Sequence, residues 1–130
     1  MGMIVIDASA VVAIITGEHD AQALLERIAL ASHRCISATN LLEARLVLEL
    51  GRGLESILLN NLLSRWQIEI MPFEAEDVEF AFEAYRRYGK GRHPAKLNMG
   101  DCAAYALAKS RGWPLLYKGE DFAQTDIERA

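Results

Sequence analysis

The chain opens on a short run, Met3 to Ile6, which is apolar at every position and ends at Asp7. Such a run, rich in β-branched residues, is typical of a central strand of a parallel sheet, buried on both faces. Further strands are predicted at 33–37, 67–72 and 114–117, and a last short one at 125–127. Segments with helical periodicity separate them. The pattern predicts an α/β fold: one domain over residues 1–130, with three layers, α/β/α, around a mainly parallel sheet of four to five strands.

The spacing of apolar residues predicts the helices between these strands. They cover 10–16, 21–31, 37–51 (beginning at Ser37 or Thr39), 54–66, 74–88 and 101–111. Ser9 and Asp101 are of the residue types that cap helix N-termini, so each is expected to begin a helix. In the helix 74–88, one face carries Val78, Ala81, Phe82 and Tyr85, and Tyr85 is expected in the core rather than stacked on a base.

The composition narrows the class of protein. Hydrophobic residues make up 52% of the chain and charged residues 25%, which excludes a disordered protein. Acidic residues outnumber basic ones, 18 to 14, and the net charge of −4 argues against binding nucleic acid through a positive field over the whole surface. Two cysteines without metal-ligand spacing favour a reducing cytoplasm. Neither a membrane-spanning segment nor a signal peptide is expected.

Four acids occupy unusual positions in the predicted fold. Asp7 and Asp121 each follow a predicted parallel strand, whereas Glu43 and Asp101 lie in the first turns of helices that begin at the same edge of the sheet. Taken alone, each has an ordinary structural explanation as a turn residue, a helix cap or a favourable charge at a helix N-terminus. Because sites in open α/β sheets form beyond the carboxyl ends of the strands, the four acids together predict one site there.

Converging carboxylates repel one another and raise one another's pKa, so the predicted site needs a cation. Oxygen ligands without Cys or His favour Mg²⁺ or Mn²⁺ over zinc, and carboxylate-held ions of this kind usually act on phosphates. Cys102 and the three histidines show no arrangement suited to nucleophilic catalysis. The acids therefore predict a metal site for phosphate chemistry.

Three segments of the chain resemble the PIN-domain ribonucleases of the VapC toxin class. They are residues 3–18 (MIVIDASAVVAIITGE), 36–49 (ISATNLLEARLVLE) and 98–127 (NMGDCAAYALAKSRGWPLLYKGEDFAQTDI), the last being the most specific. The resemblance implies that Asp7, Glu43, Asp101 and Asp121 are the acidic quartet of this family, with Glu120 as the competitor for the fourth place. Ser9 matches a hydroxyl residue that often follows the first Asp. Residues 51–97 match only in length and pattern.

The resemblance implies an endoribonuclease and toxin of a toxin–antitoxin pair, in which the quartet holds one or two Mg²⁺ or Mn²⁺ ions and a metal-activated water hydrolyses an RNA phosphodiester. The implied substrate is single-stranded or structured RNA, with tRNA or rRNA as targets. A cognate antitoxin that blocks the site and a homodimer are the implied partners. Ser9, Thr39, Asn98 and Glu120 are expected to support the ligands through hydrogen bonds.

Two surfaces are predicted to bind partners. Five basic residues flank the loop before Asp101 and predict an RNA-binding patch, although cations favoured at a helix C-terminus explain them equally well. They are Arg86, Arg87, Lys90, Arg92 and Lys96. The stretch 41–66 is unusually apolar, and its leucines either line a groove for an amphipathic partner helix or pack between the two helices themselves. These are Leu46, Leu50, Leu58, Leu59, Leu62 and Leu63.

Two other functions stay open at this point. A receiver-like signalling domain also has acids at the sheet edge and a lysine near a late strand, here Lys118, but the segment 67–72 leads to Pro72 and Phe73 without the Asp that would accept a phosphoryl group. A catalytically inactive PIN-like domain would serve only as an interaction module, and the intact quartet argues against it. Labelling by acetyl phosphate and metal-dependent RNA cleavage distinguish these functions.

Overall fold

A computed structural model describes residues 2–130 of the chain. Its centre is a parallel sheet of β1 (Met3–Ile6), β2 (His33–Ser37), β3 (Ile68–Met71) and β4 (Leu115–Leu116), in the order β3-β2-β1-β4. In the register of the sheet, Val5 of β1 lies beside Cys35 of β2 and Leu115 of β4. The predicted α/β fold is confirmed, and the first apolar run is an inner strand of the sheet.

Helices cover both faces of this sheet. They are α1 (Ala8–Thr16), α2 (Ala21–Leu30), α3 (Ala38–Arg45), α4 (Ser56–Arg65), α5 (Ala75–Tyr88) and α6 (Met99–Arg111). Side chains of a strand alternate between its two faces. Accordingly Ile4 and Ile6 pack in a core with α1 to α4, whereas Val5 packs in a second core with α5 and α6. The three-layer arrangement and the burial of β1 on both faces follow from this alternation.

Two helix N-termini differ from the prediction. Asp7, not Ser9, caps α1, and its Oδ2 accepts a hydrogen bond from the Ser9 N–H at 3.0 Å. Asn98, not Asp101, caps α6, and Asp101 is the third helical residue of a reciprocal capping box. Both helices begin before their first clearly periodic apolar residue, so the expected cap lies inside the first turn.

Other differences concern the ends of elements. The chain beyond α3 continues as π-helical turns over Leu46–Gly51 instead of regular α-helix. The last predicted strand, at 125–127, does not form. The chain end instead meets the sheet through an isolated bridge between Leu115 and Arg129, so four strands form the sheet in the part of the chain that is described.

The predicted face of α5 reaches the core only at Ala81, which is partly buried against the second core. Val78, Phe82 and Tyr85 are exposed, and Phe82 keeps 66% of its surface accessible. Ala84 and Tyr88 form the buried side of the helix instead. The expectation that Tyr85 is a core residue is therefore wrong, because the apolar stripe of α5 is wider than the area that the sheet and α6 can cover.

Both cysteines are free and buried. Burial raises the thiol pKa of Cys35 and of Cys102 to about 12, so neither is activated as a nucleophile at neutral pH. Within residues 2–130, the structure contains no helix with the length and apolar character required to cross a membrane.

Candidate active site

Asp7 stands at the carboxyl end of β1, where the main chain turns into α1. Its backbone N–H donates to the Leu116 carbonyl oxygen of β4 at 2.9 Å, which fixes it at the edge of the sheet. The side chain is buried, and Oδ1 has no hydrogen-bond partner among the described residues. Burial raises the pKa of Asp7 to about 6, and the negative charge of Glu43 acts in the same direction. Oδ1 is therefore a buried acceptor open to an incoming cation or donor.

Asp101 lies in the first turn of α6. Its Oδ2 accepts from the Asn98 N–H at 3.0 Å, and its own N–H donates to Asn98 Oδ1 at 2.8 Å. Burial raises the pKa of Asp101 to about 6, and the charges of Asp7 and Asp121 add to the effect. The alanines of α6 are buried in contact with the sheet, so the helix packs closely and brings this carboxylate to the sheet edge.

Glu43 reaches the same place from α3. Burial raises its pKa, and the nearby charge of Asp101 contributes to the rise. The fully buried Asn40 donates its Nδ2 both to Glu43 Oε1 at 3.3 Å and to the Gly100 carbonyl oxygen at 2.8 Å. Asn40 thus joins α3 to the first turn of α6 and holds the Glu43 carboxylate beside it.

Asp121 and Glu120 follow β4, and both are exposed. Asp121 begins the 3₁₀ turn Phe122–Gln124, and its negative charge raises the pKa of Asp101. Glu120 makes no side-chain hydrogen bond or ion pair within residues 2–130. The electrostatic coupling to Asp101 favours Asp121 over Glu120 as the fourth acid of the group.

Three of these acids line a single cavity of about 270 Å³, the acid cavity. Asp7, Glu43 and Asp101 contribute to it from three separate elements, and Glu18 and Lys118 complete its charged lining. Asp121 lies outside the cavity lining but acts electrostatically on Asp101. The structure therefore brings the four predicted acids to one edge of the sheet, three of them in the cavity and one beside it.

The donor set suits a hard divalent cation. Carboxylate oxygens are the ligands preferred by Mg²⁺ and Mn²⁺, and the unpartnered Oδ1 of Asp7 is a buried oxygen that a cation would satisfy. The pKa values of Asp7, Glu43 and Asp101 are raised mainly by burial, and repulsion by a neighbouring carboxylate adds a smaller contribution in each case. In the described part of the chain no three His, Cys, Asp or Glu side chains already form a closed metal-holding group. The residues fit a metal by their chemistry, and the coordination shell is not pre-formed.

The supporting residues have different placements. Ser9 Oγ accepts a hydrogen bond from the Lys118 N–H at 3.0 Å, and Asn98 holds Asp101 as described. Thr39 donates its N–H to Ser37 Oγ at 3.3 Å and lines a different cavity from the three acids. Ser9 and Asn98 are thus hydrogen-bonded to Asp7 and Asp101, respectively, whereas Thr39 lines the neighbouring cavity beside α5.

Four residues of the site were not assigned to the acid group from the sequence, and of these Lys118 was considered only for the receiver-like alternative. Asn40, Gly100, Glu18 and Lys118 all lie in or against the acid cavity. Asn40 had a weak signal, because it stands one helical turn before Ala44, with which it forms the buried side of α3. Glu18 had none, since an acid after Gly17 in a turn is indistinguishable from any solvated turn residue.

The five basic residues divide into two groups. Arg86 forms an ion pair with Glu83, and Arg87 lies 3.6 Å from Asp126 and over the ring of Tyr88. The other three are exposed and make no salt bridge within residues 2–130; they are Lys90, Arg92 and Lys96.

Two apolar surfaces are exposed to solvent. The leucine-rich surface runs over α3, the π-helical turns and α4, and comprises Leu42, Leu46, Val47, Leu50, Ile57 and Leu58. The α5 surface surrounds a cavity of about 680 Å³ and comprises Phe73, Val78, Phe82, Tyr85 and Met99. The other predicted groove residues, Leu59, Leu62 and Leu63, instead pack in the core beneath the leucine-rich surface.

Comparison with known sequences matches almost the whole chain. The profile of the PIN domain matches residues 4–128. The chain is 46% identical over 129 residues to Ribonuclease VapC of Mycolicibacterium smegmatis, covering 95% of this chain and 96% of that protein. It is 41% identical over 128 residues to Ribonuclease VapC42 of Mycobacterium tuberculosis, covering 97% and 98%.

Solved structures with the same fold are more distant in sequence. Mycobacterium tuberculosis VapC20, described as a sarcin–ricin loop cleaving toxin, superposes with a TM-score of 0.75 at 16% identity, covering 98% of both chains. A chain of a toxin–antitoxin complex from Klebsiella pneumoniae gives a TM-score of 0.70 at 18% identity, covering 95% of this chain and 92% of that one. These likenesses concern the fold.

Proposed function

The chain belongs to the PIN-domain family of VapC ribonucleases, and on that premise we propose that it is a metal-dependent endoribonuclease, the toxin of a toxin–antitoxin pair. The observation that carries the proposal is the meeting of Asp7, Glu43 and Asp101 in one cavity at the carboxyl edge of the sheet, with Asp121 beside them. Residues 1–130 act as one PIN domain in this proposal. A phosphoaspartate receiver is excluded by the family.

Asp7 and Asp101 are the residues proposed to hold Mg²⁺ or Mn²⁺ directly, with Glu43 and Asp121 completing the group. Asp7 offers the unpartnered Oδ1, and both have a pKa of about 6, so they ionise fully once positive charge is near. When bound, such an ion lowers the pKa of a water and neutralises charge on the phosphoryl and leaving oxygens.

The protein's own groups position the reaction. The Ser9 N–H orients one oxygen of Asp7, so the other faces away from that bond, and the Asn98 N–H orients Asp101 in the same way. Glu43, held by Asn40, is the residue proposed to orient the attacking water and accept its proton. Its raised pKa brings its basicity closer to neutral pH, which favours this role.

The exposed basic residues Lys90, Arg92 and Lys96 are proposed to bind RNA phosphates beside the site, since they make no ion pair within residues 2–130. Arg86 and Arg87 belong to the same patch, but binding RNA with them requires exchange of existing ion pairs. Contacts of this type give affinity without sequence specificity.

Two protein partners are proposed. The leucine-rich surface is the site proposed for a helix of the cognate antitoxin, because Val47 belongs both to this surface and to the acid cavity, so that a helix bound there can reach and block the acids. The α5 surface is proposed as the contact with a second copy in a homodimer. We place the protein in the cytoplasm, where RNA and such partners are present.

The test is cleavage of purified tRNA, rRNA and a random-sequence single-stranded RNA, with and without Mg²⁺ or Mn²⁺. The expected result is metal-dependent cleavage with 5′-phosphate products, lost in Asp7→Asn and Asp101→Asn. Circular dichroism checks that both variants are folded. Full activity in both folded variants would contradict the proposed site, and no cleavage by the wild type under any condition would favour an inactive interaction module.

A further inference from the structure

Among the described residues that line the acid cavity, Lys118 is the one basic residue. It lies two residues after the end of β4, at the same edge of the sheet as Asp7, which follows β1. A phosphate that enters this cavity is repelled by the charges of its four acids and attracted by the single positive charge of Lys118. The acids are Asp7, Glu18, Glu43 and Asp101. The position therefore carries a cation where phosphate binding needs one.

The main chain of Lys118 is fixed relative to the first acid. Its N–H donates to Ser9 Oγ at 3.0 Å, and the N–H of the same Ser9 donates to Asp7 Oδ2 at 3.0 Å. One residue, Ser9, thus sets both the orientation of the Asp7 carboxylate and the starting point of the Lys118 side chain. Two hydrogen bonds therefore set the distance between the Asp7 carboxylate and the main chain of Lys118.

The ammonium group of Lys118 is shared between two acids of the turn that joins α1 and α2. Nζ forms an ion pair with Glu18 and lies 3.7 Å from Asp20 Oδ1. Asp20 Oδ1 is buried and accepts no hydrogen bond among the described residues. Because the side chains of this group are about one-third exposed, the ion pairs contribute little to stability and exchange readily for another anion.

We propose that Lys118 binds a phosphate of the RNA strand at the acid cavity and that Glu18 and Asp20 hold its ammonium group when no RNA is bound. The proposal rests on the proposed function, because it assigns a substrate-binding residue to that same site. The competing explanation is structural: Lys118 only ties the α1–α2 turn to the segment after β4. The two explanations predict different results at Glu18. If Lys118 has only a structural role, loss of the Glu18 charge should be as harmful as loss of the Lys118 charge, whereas if Lys118 binds RNA it should not.

The experiment compares Lys118→Met, Lys118→Arg and Glu18→Gln with the wild type. Steady-state cleavage of fluorescein-labelled random-sequence single-stranded RNA in Mn²⁺ is measured over a range of NaCl concentrations. Lys118→Met is expected to raise KM by about tenfold, as for one lost charged hydrogen bond. Its plot of log(kcat/KM) against log[salt] is expected to be shallower by about 0.7, the value of one phosphate contact on a single strand.

The two other variants separate binding from structure. Lys118→Arg keeps the charge and is expected to restore most of the affinity. Glu18→Gln removes an acid that competes with RNA for the ammonium group, and it is expected to lower KM. If Lys118→Met keeps the wild-type KM and salt slope, or if Glu18→Gln shows the same loss as Lys118→Met, the proposal is overturned.

Fluorescence anisotropy of the same RNA in EDTA separates this proposal from the proposed function. If the wild type binds the RNA without ever cleaving it, and Lys118→Met binds it more weakly, the RNA-binding role of Lys118 is supported and the ribonuclease activity is contradicted. A wild type that neither binds nor cleaves RNA overturns both.

Discussion

The carboxylate of Glu43 lies directly over the backbone of Gly100, so that a Cβ added at Gly100 would come within 2.6 Å of Glu43 Oε1 and 2.7 Å of Oε2. The two residues belong to different helices, and Asn40 holds the carboxylate and the Gly100 carbonyl oxygen together. A side chain at Gly100 would therefore displace the Glu43 carboxylate, although the backbone conformation of Gly100 itself does not demand glycine. Gly100 lies next to Asp101, so this close approach sets the relative position of two of the acids.

Gly100→Ala is expected to reduce cleavage by about tenfold to a hundredfold, because the methyl group displaces the Glu43 carboxylate and misplacement of about 1 Å at a reacting group costs that much. The free energy of unfolding is expected to change by less than about 1 kcal/mol, since alanine favours the helix and offsets part of the strain. Steady-state kinetics and urea denaturation measure the two effects. Gly51→Ala is the matched control, because its Cβ meets its nearest neighbour at an ordinary 3.7 Å; equal activity of the two variants would argue against the steric explanation.

Asp7→Asn is expected to stabilise the metal-free protein while abolishing activity. The folded-state pKa of Asp7 is about 6 against an ordinary 3.8, so the folded chain binds protons more tightly than the unfolded chain between these values. The free energy of unfolding therefore falls as pH rises through this window, by up to about 3 kcal/mol at neutral pH. Asparagine keeps an acceptor for the Ser9 N–H and removes the charge.

Urea denaturation in EDTA at pH values from 4 to about 7 checks this expectation. The wild type should lose stability as pH rises, and Asp7→Asn should lose less. Glu128→Gln is a control, since Glu128 is exposed and lies outside the acid cavity. If the stability of the wild type instead rises over this range relative to that of Asp7→Asn, this would falsify the conclusion that the buried Asp7 charge destabilises the folded protein.

Addition of Mn²⁺ is expected to raise the Tm of the wild type by several degrees, because an ion that binds only the folded state stabilises it by mass action. The increase should be larger at pH 8 than at pH 5, since metal binding must displace protons from acids with a pKa of about 6. Differential scanning fluorimetry measures it. Asp7→Asn and Asp101→Asn should show little increase; a full increase in both would place the ion elsewhere.

Asp121→Asn is expected to reduce metal-dependent cleavage, whereas Glu120→Gln is expected to leave it near the wild-type rate. The reason is that Asp121 acts electrostatically on Asp101, whereas Glu120 makes no side-chain hydrogen bond or ion pair within residues 2–130. The two neighbouring exposed acids form a matched pair, and cleavage rates at saturating Mn²⁺ compare them. A larger loss in Glu120→Gln would reverse the assignment of the fourth acid.

Asp126→Ala is expected to lower the free energy of unfolding by about 1–3 kcal/mol. Asp126 accepts hydrogen bonds from the buried Tyr105 hydroxyl at 2.6 Å and from Lys109 Nζ at 2.8 Å, so its removal leaves the hydroxyl without this partner. Tyr105→Phe in the same background removes the stranded hydroxyl and should recover part of the loss. Urea denaturation of the single and double variants measures the coupling, and purely additive losses would show that the hydrogen bond contributes nothing.

The sequence by itself determined the architecture and the edge where the acids lie. An unbroken apolar run predicts a strand buried on both faces, and acids that follow parallel strands must lie at one edge of the sheet. Periodicity also located the six described α-helices to within a few residues, but neither the π-helical turns after α3 nor the 3₁₀ turn Phe122–Gln124. These features depend on residues near one another in the chain, which local patterns describe.

Only the tertiary structure decided which of these groups touch. Asn40 meets Gly100 across 60 residues of chain, and Lys118 meets Ser9 across 109, and no local pattern contains such contacts. The same is true of exposure: the apolar stripe of α5 has the periodicity of a core face, yet Phe82 lies in solvent because the sheet and α6 cover only part of it. Burial and the proximity of other charges raise the pKa of Asp7 and Asp101. Both arise from packing between elements that are distant in the chain, so only the tertiary structure determines them.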